Sequence, residues 1–184
     1  TVTTAATKGT LTYTGSGGKI TSTATFTLSG KLGSASVSVV ANDSLSSVVT
    51  KINNASYGTG VTASVSGNIL TFSSVDYGTS ATLAINVTSG TFNVAGGNGN
   101  GTAQGTNAVV TIGGFAPASV DGNRVTFARN GTHLQLELTA GYSGAISTLT
   151  LSKSPTLKFA LGTGTQQTTL GLRGVLIETL GGNS

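Results

Sequence analysis

The sequence predicts a mainly β fold with one short helix, a β-rich α+β class built as two small antiparallel β lobes, the first with the helix packed on its sheet. Three observations predict it. Apolar and polar residues alternate in stretches such as "TATFTLSG" and "HLQLELTA", the period of a half-buried strand. One segment, "SLSSVVTKINNA" at 44–55, breaks that period, with Leu45, Val48, Val49 and Ile52 recurring at helical spacing. The polar positions are filled by Thr, Ser, Gly and Asn, and only 8% of the 184 residues are charged against 37% apolar.

Taken along the chain, strand patterns appear at "GTLTYT", at 20–29 and at 34–40, all before the helix. Asn42 or Asp43 is placed to cap the helix N-terminus, where a side-chain oxygen can take up orphaned backbone N–H groups and a carboxylate suits the dipole. Asn53 and Asn54 tolerate the left-handed conformation that ends a helix. A helix this short is marginal alone in water, so it must dock on a sheet to persist. After it come "VTASV", "ILTFSS", "ATLAINV" and "TFNV", with a turn at "SGN" (66–68) between the first two. Together these give the order strand, strand, helix, strand, strand, strand.

"GGNGNGTAQGT" at 96–106 holds no aliphatic side chain larger than Ala and reads as a linker or exposed loop. Past it, "AVVTIGG", "NRVTFAR" and "THLQLEL" form a second run of strands, the last two joined at Asn130-Gly131, followed by "STLTLS", "LKFALG" and "TLGLRGVLIETLGG". The expected organisation is a first lobe at 20–96 with its helix near 43–53, a Gly/Asn linker at 97–104, and a second lobe from 1–19 plus 105–184.

Composition excludes several classes. No run of about 18 apolar residues exists to span a membrane, and low charge with ample apolar content argues against disorder. The formal net charge of +4 comes from nine Lys and Arg scattered between Lys8 and Arg173, without the basic stripe and stacking aromatics that nucleic-acid binding uses. Cysteine is absent, which removes disulfides and thiolate sites and, with no Met and abundant Thr and Ser, fits an exported bacterial surface protein. The start, "TVTTAATKG", has neither the basic nor the apolar region of a signal peptide.

The unit "KINNASYGTGVTASVSGNILTFSSVDYGTSATLAI" resembles the IN motif of bacterial flagellins and hook-associated proteins. The resemblance rests on an apolar helix closing on Ile52-Asn53, then "VTASV", "ILTFSS" and a Gly before a final strand, over roughly 22–94. "GTNAVVTIGGFAPASVDGNRVTFARNGTHLQLEL" looks like the outer-domain strands of flagellins and filament cap proteins. "LKFALGTGTQQTTLGLRGVLIETLGG" looks like the segment that returns a flagellin chain from its outer domain to the helical core, with Phe159, Leu161, Gly171 and Leu180-Gly181 at the matching places. The long heptad helices of that core are missing, so the chain resembles an isolated outer, hypervariable region.

The resemblance implies a non-catalytic structural component of the bacterial flagellar filament, extracellular, with no cofactor, no membrane and no nucleic acid. Its partners would be neighbouring flagellin subunits, held mostly through regions outside this chain, which alone would be monomeric. The alternatives are the outer domain of a filament cap protein, or an adhesin or carbohydrate-binding module. For the last, the absence of Trp and the dispersal of Tyr13, Tyr57, Tyr77 and Tyr142 speak against an aromatic platform.

No catalytic, cofactor or metal residues are assigned. The one histidine, His133, falls on the strand face opposite Leu134, Leu136 and Leu138 and is expected in solvent beside Gln135 and Glu137, where no triad could orient it. The acids Asp43, Asp76, Asp121, Glu137 and Glu178 are isolated, and turn or cap duties explain three of them. "GSGGKI" fails as a phosphate loop because Tyr13 stands where a Gly is needed and Ile20 replaces the magnesium-binding hydroxyl.

Overall fold

The computed structural model describes residues 1–129 and 132–146, together with the backbone of 156–160 and 167–171. In chain order, β1 (Val2–Thr4), β2 (Thr10–Thr14), β3 (Ala24–Gly30) and β4 (Gly33–Val39) precede α1 (Leu45–Asn54) and the single turn α2 (Ser56–Thr59). Then come β5 (Val61–Ser66), β6 (Ile69–Ser74), β7 (Thr82–Gly90), β8 (Val94–Ala95) and β9 (Thr102–Gln104). The remaining strands are β10 (Val109–Val110), β11 (Ser119–Asp121), β12 (Arg124–Arg129), β13 (Thr132–Glu137), β14 (Thr156–Ala160) and β15 (Gln167–Gly171). The chain divides into compact units at 1–143 and 144–184; the described part of the second is residues 144–146 and the antiparallel pair β14–β15.

Two four-stranded antiparallel sheets, ordered β5-β6-β2-β8 and β4-β3-β7-β9, supply one shared hydrophobic core. Alternation decides which side chains enter it: Ala24, Phe26 and Leu28 from β3, Leu70 and Phe72 from β6, Leu11 and Tyr13 from β2. At its centre, Phe92 stacks on Tyr13 (centroids 4.2 Å apart) and on Phe26 (4.5 Å), while Phe72 meets Phe26 and Phe92 edge-on at 6.3 and 6.2 Å. Phe92 sits where the chain crosses from one sheet to the other, between β7 and β8. The expected strand over 91–94 therefore shrinks to a short pairing of Val94–Ala95 with β2, because the Phe92 ring is taken up between the sheets.

The hairpin expected at 66–68 is present: Ser66 faces Ile69, and Gly67, with φ 57°, leads a two-residue turn at the position where only glycine is unstrained. The strands "NRVTFAR" and "THLQLEL" also pair as expected, in register from Arg124 opposite Glu137 to Arg129 opposite Thr132, and β11 adds a third strand to them.

The segmentation differs from expectation in two places. Strand β2, placed by the sequence with the second lobe, pairs instead with β6 and β8, since Leu11 and Tyr13 are needed to complete the sandwich interior; only β1 pairs forward, with β10. The linker at 97–104 ends in a strand. Thr102–Gln104 pairs with the start of β7 and buries Ala103, a side chain small enough for the sheet's end. The expected strand "STLTLS", the Asn130-Gly131 turn and most of the returning segment, including Leu161 and Leu180-Gly181, lie outside the described residues.

Candidate functional site

The segment that breaks the strand period forms α1 as expected, with Leu45, Val48 and Ile52 buried and Val49 packed against the same core. Its caps differ from the sequence reading. Ser44 is the N-cap, its Oγ accepting the Ser47 N–H at 3.1 Å, because Asp43 is engaged elsewhere and Asn42 adopts the left-handed conformation (φ 70°) leading into the helix. At the other end Ala55 remains right-handed, and the chain continues into α2 before Gly60 turns left-handed.

The helix position follows from connectivity. It joins β4 to β5, the edge strands of two different sheets, so in crossing between them it closes that side of the sandwich. Lys51 donates to the Ser38 carbonyl of β4 and to Asp43 Oδ2, each at 3.1 Å, while Asp43 Oδ2 also accepts the Val40 N–H at 3.1 Å. These contacts fasten the helix to the sheet edged by β4.

Asn53 fastens it to the sheet edged by β5. Its Oδ1 accepts the Ala63 N–H at 2.8 Å and its Nδ2 donates to the Ala63 carbonyl at 3.1 Å. Both backbone groups belong to β5 on the side away from β6, so the side-chain amide fills the place of a neighbouring strand at a free edge. Neighbouring residues thus do different work: Ile52 enters the core and Asn53 pairs the edge. The sequence flagged Asn53 only as a helix stop; no local pattern signals a bond to a strand that starts only at Val61, beyond α2.

Replacing Asn53 by Ala strands both Ala63 groups and is expected to cost about 1–3 kcal/mol, read as a lowered midpoint in chemical denaturation with unchanged slope. The Asp43 carboxyl titrates below its ordinary range, chiefly because of the Val40 N–H and then the Lys51 ammonium. A depressed folded-state value contributes stability above the unfolded-state pKa that is lost as pH falls through the folded one. The stability gap between the wild type and Asp43→Asn should therefore narrow on acidification, as measured by denaturation at a series of acidic pH values.

Elsewhere, among the described residues, the ionisable groups meet at most in pairs. His133 is exposed, as are Gln135 and Glu137 on the same face, while Leu136 and Leu138 are buried and Leu134 is half-buried. Asp76 pairs with Lys31 at 3.0 Å, and Asp121 accepts from Ser80 at 2.6 Å. Glu178 lies outside the described residues. Among the described residues no three His, Cys, Asp or Glu side chains converge in a way that could hold a metal ion. A shallow cleft of about 220 Å³ is lined by Thr12, Tyr13, Thr14, Thr21, Thr91 and Asn93, with no charged group among them. The Tyr13 ring there is buried and its hydroxyl is tied to Thr21 at 2.8 Å, so it offers no stacking face. Tyr57 is 96% exposed on α2, and Tyr77 lies 5.0 Å beneath the Lys8 ammonium. No helix among the described residues is long and apolar enough to cross a membrane.

Residues 25–76 match the family model described as the flagellin hook IN motif. That span runs from β3 through β4, α1, α2, β5 and β6 to Asp76, and so contains the helix with both of its fastenings. A solved structure, that of the flagellar cap protein FliD from Bdellovibrio bacteriovorus, is similar with a TM-score of 0.49 and 18% identity, covering 74% of this chain and 89% of that one. No curated protein matches the chain.

Proposed function

We propose, from the flagellin hook IN motif that residues 25–76 carry, that this chain is a structural component of the bacterial flagellum without catalytic activity, and more finely that it is the surface-exposed outer region of a flagellin. The observation that carries the reading is the coincidence of the motif with the helix clamp. Its helix and strands are spent on closing a two-sheet core, with Ile52 and Asn53 as internal fastenings. Such a module projects a hydrated Thr, Ser and Asn surface into the medium, and neighbouring subunits meet through parts of the protein beyond this chain. Among the described residues no three His, Asp or Glu side chains converge, whereas acid–base or nucleophilic work needs convergent groups.

Immunogold labelling of intact cells with antibody against this chain tests the proposal and separates its alternatives. Label along the whole filament is the expected result. Label confined to filament tips would assign the chain to the cap instead, and label on the cell wall but not on flagella would make it an adhesin.

A further inference from the structure

We propose that Asn100-Gly101 is a site of spontaneous, non-enzymatic deamidation, its co-reactant being water. The exposed loop after β8 contains two Asn-Gly steps, Asn98-Gly99 and Asn100-Gly101, and the structure distinguishes them. The reaction needs the backbone nitrogen of the following residue to reach the asparagine Cγ. Glycine favours this because no Cβ obstructs the approach, and asparagine is among the chemically labile residues.

At the first step only the nucleophile is engaged: the Gly99 N–H points to the Gly96 carbonyl at 3.4 Å, and the Asn98 backbone is held by its own N–H donating to the Thr102 carbonyl at 2.8 Å, while the Asn98 carboxamide is exposed. At the second step no hydrogen bond holds the Gly101 N–H or the Asn100 carboxamide, and Asn100 is exposed. Gly101 is instead anchored through its other group, its carbonyl accepting the Ile85 N–H at 2.7 Å. Both carboxamides are free to turn, so the two steps differ at the nucleophile: the Gly101 nitrogen is left open on a residue held in place by its carbonyl, while the Gly99 nitrogen faces the Gly96 carbonyl.

The chemistry closes without any oxidant or reductant. The Gly101 nitrogen bonds to Asn100 Cγ and gives up its proton; the Cγ–Nδ2 bond breaks and the nitrogen departs as ammonia. One water then opens the five-membered imide at either of its two carbonyl–nitrogen bonds, giving aspartate or isoaspartate. Either product is ionised at neutral pH and lowers the formal net charge of +4 by one. Isoaspartate also lengthens the main chain immediately before Gly101, so it disturbs the bond to Ile85 and loosens the β7–β9 end of the sheet.

Ageing the full chain in mildly alkaline buffer, with peptide mapping by mass spectrometry over time, tests this. The expected result is conversion at Asn100 several-fold faster than at Asn98 in the folded protein, with the ratio falling to near parity when the chain is aged in denaturant. In the folded protein Asn100→Gln should remove most acidic species arising from this loop, whereas Asn98→Gln should remove few. Equal rates at the two sites while folded, faster conversion at Asn98, or no conversion at Asn100 would each overturn the proposal. It stands independently of the flagellar reading.

Discussion

Truncating Phe26 to Ala is expected to destabilise the protein by about 3–5 kcal/mol, the range for removing a fully buried aromatic ring from a core that cannot collapse around the void. Phe26 is completely buried on the central strand β3. Its ring touches aromatic partners from two directions, stacking on Phe92 and meeting Phe72 edge-on across the sandwich. Those partners come from different parts of the fold, so no single shift of one strand can refill the space. Urea denaturation should show the midpoint falling while the slope stays constant; a loss below about 1 kcal/mol would mean that the aromatic stack is not the centre of the core.

The second large effect is expected at Ile52. Its side chain is fully buried with Leu45 and Val48, and it is the last apolar anchor of α1 before the chain turns toward β5. Ile52→Ala should cost about 2–5 kcal/mol. Because a short helix depends on docking, the variant should also lose helical signal in far-ultraviolet circular dichroism at denaturant concentrations where its strands persist. Simultaneous loss of both signals would show instead that helix and sandwich unfold as one unit.

The residues differ in how openly they announced their positions. Strand periodicity in "TATFTLSG" and "ILTFSS" was legible because each strand has one face in a core and one toward solvent, and the turn at Gly67 was legible because its backbone conformation selects the residue. The helix at Leu45–Asn54 was legible for the same kind of reason, its apolar stripe facing a single direction. What local pattern does not encode is which strands become neighbours. Thr10–Thr14 carries the same alternation whichever sheet it joins, and its placement beside β6 is fixed by where Leu11 and Tyr13 find space. Phe92 looks like a strand residue because its neighbours alternate, yet its ring serves both sheets at a crossing.

The fastenings of the helix were harder to read. Asp43 and Asn53 belong to residue types that cap helices, and sequence reasoning assigned them those duties. Asp43 instead joins Lys51 to the Val40 backbone, leaving capping to Ser44. Asn53 instead reaches ten residues ahead to Ala63, a contact that exists only once α2 and Gly60 have reversed the chain. His133 was easier: strand alternation alone placed it on the solvent face, where it is found.

Amide hydrogen exchange at Ala63 tests the central claim most directly, because this N–H faces away from β6 at a sheet edge and has only the Asn53 carboxamide to hold it. The helix clamp predicts protection of Ala63 close to that of the core residues of β6, and its loss in Asn53→Ala while β6 stays protected. An Ala63 amide that exchanges in the wild type as fast as an open edge strand would contradict it, and with it the role given to the Ile52-Asn53 pair in closing the sandwich.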